Sequence, residues 1–247
     1  MLPEDTAQAV AARHHPLPIE RAAAALEVLL CSGLPTQLVI ITVLSTAGLR
    51  PQLPDGRLSA PFIFTLTLLD TALLVGLILF FMRAHRESFR EALFGTRPIL
   101  IESLYGILLI PASFMLVILV LGFLQLLAPG LRDVPHNPLQ DVMRTRLQAI
   151  LFAAVVMIAG GVREEIQRGF VLRRFQQYLG GGFVGLVAFS AAFGLGHLEQ
   201  GHDVALATAA LGAFWGAIFL VRRSIAAPMV AHAGFNLSQV AKFLIIG

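Results

Sequence analysis

The chain has 247 residues, of which 57% are hydrophobic and 13% charged, with a net charge of +3 and a mean hydropathy of +0.79. A soluble domain carries about 25% charged residues, so this composition excludes an ordinary soluble protein and points to a chain that crosses a membrane several times. The arginines lie between apolar runs, which excludes a nucleic-acid-binding face, and the single Cys31 excludes a disulfide framework or a cysteine metal site.

Residues 1–21, with Glu4, Asp5 and "ARHHPLPIE", form a polar lead too hydrophilic for a cleavable signal peptide, so the first span is expected to be an uncleaved anchor. Hydrophobic segments follow at roughly 22–49, 61–82, 99–128, 147–172, 182–200, 204–221 and 225–246. Each is near the ~20 residues a helix needs to cross ~30 Å of hydrocarbon. The predicted fold class is therefore all-α, a polytopic transmembrane bundle of about seven helices. Residues 22–146 form its amino-terminal helices and loops, and 147–247 the part that carries the motifs below. Pro111 predicts a kink or tilt in the third segment. Loops are expected at "RPQLPDGR" (50–57), at 83–98 and at 128–146, all rich in Pro, Gly or charge.

Arginine placement sets the expected orientation. Arg83, Arg86, Arg90 and Arg97 follow the second segment, Arg173 and Arg174 the fourth, and Arg222 and Arg223 the sixth. These read as cytoplasmic anchors, which puts the amino terminus inside, although Arg132, Arg144 and Arg146 then fall on the outer side. Seventeen of the eighteen basic residues are Arg, a usage that suggests a GC-rich bacterial genome and hence the bacterial inner membrane.

An ionisable group at the bilayer centre costs about 2.5–3.5 kcal/mol or more, so such residues are functional candidates by default. Glu27 and Glu102 lie near segment ends, where a carboxylate can reach the interface or bond a neighbouring helix. Asp70, in "FTLTLLDTALLVG", lies nearer mid-span. The densest cluster is "GGVREEIQRGFVLRRF", residues 161–176. In one continuous helix Glu164 and Arg168 stand one turn apart on one face, while Glu165 points about 100° away from Glu164. One carboxylate can then face a cavity while the other binds an arginine. The bland alternative is a solvated helix end with surface ion pairs.

Two further clusters weigh against it. "FSAAFGLGHLEQGH" sets Phe193 and His197 four residues apart, and "APMVAHAGFNLSQV" does the same for His232 and Asn236. Each histidine alone reads as a hydrogen-bonded core residue. Two histidines, an asparagine and a glutamate pair on three spans can instead form a nitrogen–oxygen site for zinc or a similar divalent ion. The small residues of "AHAG" and "GLG" let the helices approach closely.

At these residues the sequence resembles the CPBP family of intramembrane proteases, the CAAX prenyl endopeptidases of the Ras-converting type and their bacterial relatives, also called the Abi family. The family pattern is a Glu-Glu pair followed by Arg, then Phe-x-x-x-His, then His-x-x-x-Asn, and here it reads "EEIQRGF", "FGLGH" and "HAGFN" over about residues 147–246. The family spacing is Glu-Glu-x-x-x-Arg, whereas only two residues separate Glu165 from Arg168. Aligning on the pair makes Glu164 the catalytic glutamate. Aligning on the Arg-Gly-Phe end would put Arg163 at the first acidic position, where a guanidinium cannot act as base.

The resemblance implies peptide-bond hydrolysis within the membrane. Glu164 would be the general base on a water. His197 and His232, with Glu164, would bind a divalent metal, zinc in the metal-dependent members, or polarise the water directly. Asn236 would donate to the oxyanion. Arg168 would pair with Glu165 or Glu164, or bind the carboxylate of a substrate's carboxyl terminus. The implied partner besides the lipid bilayer is a membrane-embedded, prenylated or hydrophobic peptide. The alternative is a non-catalytic scaffold or bacteriocin-immunity protein of the same fold. A transporter is disfavoured by the absence of paired repeats. Cys31 and Trp215 read as ordinary core residues, and Glu199 and His202 as either neighbours of the site or a loop end.

Overall fold

The computed structural model describes residues 16–135 and 137–246, so most of the polar lead lies outside the described residues. All of the predicted apolar segments are helical, and the chain is an all-α bundle. The first segment is two helices, α1 (Pro18–Leu30) and α2 (Leu34–Thr46), separated by a short break. Gly33 in the break has φ +88°, left-handed backbone that a side chain would strain. Gln167 Nε2 donates to the Cys31 carbonyl at 2.8 Å, which satisfies backbone polarity freed there. Helix α3 spans Ala60–Ala84, α4 is a short turn at Phe89–Phe94, and α5 spans Ile99–Leu127, remaining helical through Pro111. The expected loop at 83–98 thus contains α4, whose first turn is capped by Ser88 Oγ accepting from Glu91 N at 3.4 Å.

Helix α6 (Arg146–Val156) begins at a capping box, with Thr145 Oγ1 accepting from Gln148 N at 3.2 Å and Gln148 Oε1 accepting from Thr145 N at 3.1 Å. It continues without a gap into a π-helical segment, Met157–Arg163, and then into α7, Glu164–Tyr178. The carboxyl-terminal helices are α8 (Gly182–Leu195), α9 (His202–Arg222) and α10 (Ala226–Ile246).

By length and composition, four stretches among the described residues can cross a membrane: Pro18–Thr46, Ala60–Ala84, Phe89–Leu127 and His202–Arg222. The bundle distributes polarity as a lipid-facing protein does. Helix α5 exposes Leu108 (72%) and Leu126 (82%) while enclosing Glu102 and Ser113. The two halves of the chain are not separate bodies, because α5 packs against both α9 and α10, and the π-helical segment packs between α3 and α10.

The isolated carboxylates near segment ends bond neighbouring helices. Arg222 donates to both oxygens of Glu102 at 2.7 Å, with its guanidinium 4.1 Å from the Tyr105 ring centre. Glu27 accepts from Arg174 Nε at 2.5 Å and from His85 Nε2 at 2.6 Å. Arg174 is therefore no interfacial anchor: it is buried, and also donates to Glu87 at 2.9 Å. The basic run looked like a topology signal because its carboxylate partners are far away in sequence.

Candidate functional site

The π-helical segment decides how the glutamate pair is presented. A π turn holds more residues than an α turn, and such segments recur at functional sites. Here it seats Gly160 and Gly161 directly against α10. A Cβ on Gly160 would lie 2.4 Å from Asn236 Nδ2 and 3.8 Å from His232 Nε2, and one on Gly161 would lie 2.7 Å from Ala233 Cβ. Only glycine permits this approach, which brings His232 and Asn236 to the helix that carries the glutamates.

Glu165 is fully buried, with Oε1 committed and Oε2 without a hydrogen-bond partner among the described residues. Its Oε1 accepts from Arg168 Nη1 and from His232 Nδ1, the latter at 2.8 Å. The sequence offered either carboxylate to Arg168, and the ion pair is with Glu165, three residues away. Arg168 is itself enclosed, its guanidinium 5.2 Å from the Phe189 ring centre, 5.0 Å from Phe193 and 5.6 Å from Trp215.

Glu164 is different. Its side chain is 20% exposed, against 1% for Glu165, and its Oε2 lies 3.7 Å from His232 Nε2 while its Oε1 lies 3.7 Å from Arg163 Nη1. Neither distance is a hydrogen bond. Because a carboxylate only accepts, the contact with Glu165 assigns a proton to His232 Nδ1, and in the neutral imidazole Nε2 is then the acceptor facing Glu164.

His232 is held on three sides. Trp215 stacks on it with ring centres 4.0 Å apart and planes 22° apart, and Phe193 meets it edge-on at 6.1 Å. Trp215 is fixed in turn by donating Nε1–H to Ser113 Oγ at 3.2 Å. From sequence Trp215 reads as an ordinary core residue, and Ser113 carries no signal. The lone tryptophan of the chain was a signal, but nothing in the sequence says that it faces a histidine 17 residues later.

His197 ends α8. It donates Nδ1–H to the Phe193 carbonyl at 2.8 Å, and its ring lies 5.0 Å from the Phe193 ring, so one phenylalanine lies beside both histidines. His202 belongs to the loop end: it is exposed, and its Nδ1 donates to Asp133 at 2.5 Å. A catalytic zinc takes about three protein ligands. Among the described residues, no three His, Cys, Asp or Glu side chains are grouped to hold a metal. Glu164 and His232 converge, but His197 does not complete the set.

What these features define is a helical bundle, built to lie in a membrane, whose interior holds a carboxylate–histidine–arginine cluster with one uncommitted carboxylate. Residues 146–238 match the family model for type II CAAX prenyl endopeptidase Rce1-like proteins, consistent with the CPBP family. The match takes in α6 to α9 and most of α10, and with them every residue of the three motifs. That family supports a protease of the CAAX type acting at a membrane. No curated protein and no solved structure matches the chain.

Proposed function

We propose that the protein is an intramembrane endopeptidase in which Glu164 activates water to hydrolyse a peptide bond of a hydrophobic or lipid-modified substrate. The observation that carries this reading is the division of labour within the pair. Glu165 is sealed and committed to Arg168 and His232, whereas Glu164 is partly exposed and stands opposite a free imidazole lone pair. A general base must reach both water and substrate, and among the two glutamates that favours Glu164.

The chemistry follows from the acceptors. A water between Glu164 Oε2 and His232 Nε2 donates one proton to each, which turns an oxygen lone pair toward a scissile carbonyl. As the C–O bond forms, the water proton passes to Glu164. The Asn236 amide donates to the oxyanion. Glu164 then gives its proton to the amine as the C–N bond breaks. Glu165 and Arg168 keep His232 in the required tautomer and orientation without touching the reacting atoms.

The test is cleavage of prenylated and hydrophobic peptides by purified protein in liposomes. Glu164→Gln is expected to lower kcat by about 10²–10⁴-fold, the usual worth of a general base, with the thermal midpoint unchanged. Activity in that variant near the wild-type level would overturn the assignment. The divalent ion implied by the resemblance is tested alongside: hydrolysis by Glu164 and His232 alone is expected to be indifferent to a chelator. Loss of cleavage on chelation, restored by zinc, would put a metal into the mechanism. The orientation with a cytoplasmic amino terminus, in the bacterial inner membrane, belongs to the same proposal and is checked by protease accessibility of tagged termini in intact and opened cells.

A further inference from the structure

A second buried network borders the glutamate pair, and the three motifs do not include it. Asp70, in the middle of α3, is 1% exposed. It accepts from Thr36 Oγ1 at 2.5 Å and Gln37 Nε2 at 3.4 Å, and it is bound by Arg163 Nη2. Arg163 is buried too, and its other terminal nitrogen, Nη1, lies 3.5 Å from Gln167 Oε1 and 3.7 Å from Glu164 Oε1. One guanidinium thus stands between two carboxylates, in contact with Asp70 and just short of contact with Glu164.

At such range the attraction between Arg163 and Glu164 is strong in a poorly screened interior. Without Asp70, Arg163 would close on Glu164 and form a direct ion pair, occupying the lone pairs that a general base needs. Asp70 is well placed to prevent this, since α2 fixes it through Thr36 and Gln37 at the helix break, where Gln167 also bonds the Cys31 carbonyl at 2.8 Å. Resting on the reading of Glu164 as the base, we propose that Asp70 is a positioning residue of the reaction, holding Arg163 off Glu164 so that this carboxylate is oriented but not engaged. Asp70 lies outside residues 146–238, so the amino-terminal half contributes to the chemistry as well as to the bundle.

A buried ion pair that served packing alone would also be damaged by mutation, so the test must separate rate from folding. Purified full-length protein in liposomes would be assayed on the peptide that the wild type cleaves, with kcat expressed per folded molecule, for Asp70→Asn, Asp70→Glu, Arg163→Gln and the double variant Asp70→Asn/Arg163→Gln. Asp70→Asn is expected to lower kcat ~10–100-fold, the scale of a misplaced catalytic group, with KM within about twofold. Asp70→Glu is expected to recover part of that loss. In the double variant Arg163 is no longer there to capture Glu164, and kcat is expected to return to within a few-fold of wild type. A double variant as slow as Asp70→Asn, or an Asp70→Asn protein with full kcat per folded molecule, would overturn the proposal. Should Asp70→Asn not fold, the double variant, in which two neutral amides replace the pair, still decides the matter by its kcat. A failure of Glu164 as base reads differently, as full activity in Glu164→Gln whatever Asp70 does.

Discussion

Helix α7 carries an enclosed arginine at each end, and the two ends use their carboxylates differently. Toward the carboxyl-terminal end Arg174 is shared by Glu27 and Glu87, at 2.5 and 2.9 Å, with Gln177 Oε1 accepting at 3.1 Å and His85 donating to Glu27. Both of these carboxylates are engaged. Near the amino-terminal end, Arg168 is bound among the described residues by Glu165 alone, and the charged neighbours of Glu164 there lie at 3.7 Å. The two clusters hold the same residue types, a glutamate pair, an arginine and a histidine. What separates them is whether a carboxylate is left over. A cluster that ties helices together engages each of its carboxylates, while one that performs chemistry must hold a carboxylate back for the substrate or water.

That contrast predicts where mutation hurts stability and where it hurts rate. The largest effect is expected from Arg174→Met. The guanidinium is 1% exposed, and its loss leaves Glu27 and Glu87 enclosed without their partner. Removing one member of a buried pair costs about 3–5 kcal/mol. Chemical unfolding in detergent is expected to show that loss, with kcat per folded molecule retained. A variant of normal stability and low kcat would erase the distinction between the two ends.

Arg174 also marks the limit of what the sequence makes legible. The helical segments were readable because a chain in hydrocarbon must satisfy its backbone within each span, and long apolar runs record that demand locally. The three motifs were readable because each is a short spacing on one helix. Arg174 bonds Glu27 across 147 residues, and Arg163 bonds Asp70 across 93. No local pattern carries such pairings, so a buried ion pair looked like an anchoring basic run. The π-helical segment was hidden for a related reason: it is set by the approach of α10 to Gly160 and Gly161, not by propensity within "MIAGGVR". Glu164 and Glu165 were legible as a pair but not individually, since their difference is one of exposure.

Those two glycines sharpen the same comparison within one turn. A methyl on Gly160 would meet the end of the Asn236 side chain at 2.4 Å, and an amide can swing away while the helices stay in place. Gly160→Ala is therefore expected to fold normally and to lose roughly 10²-fold in kcat, the scale set by displacing a catalytic group by about 1 Å. A methyl on Gly161 would meet Ala233 at 2.7 Å for Cβ and 3.1 Å for Cα, atoms that move only if α10 moves. Gly161→Ala is expected to lower stability first, by about 1–3 kcal/mol as for overpacking in a core. Parallel melting and kinetic measurements check the pair. Indistinguishable profiles would mean that Asn236 has no separate part in the rate.

The smallest effect is expected outside the bundle, where Asp133 clasps the first turn of α9. Its Oδ1 accepts from His202 N at 3.0 Å and its Oδ2 from His202 Nδ1 at 2.5 Å, and these bonds, the backbone one foremost, hold its carboxyl below the usual value. A lowered folded-state value means that the clasp stabilises above the ordinary aspartate value of about 3.9 and is lost as pH falls through the folded one. Both side chains are exposed, at 58% and 39%, so solvent screens the pair heavily. Asn137 Nδ2 still donates to Gln200 Oε1 at 3.2 Å and keeps a second tie between the same segments. Asp133→Asn is accordingly expected to speed amide exchange across residues 128–135 about two- to fivefold at pH 7, to change it progressively less as pH falls through the lowered carboxyl value, and to leave kcat within about twofold. A large fall in kcat at neutral pH would extend the catalytic end of the molecule to this loop, and the division between tying and reacting clusters would have to be redrawn around His197, which lies in the connection between α8 and the clasped turn.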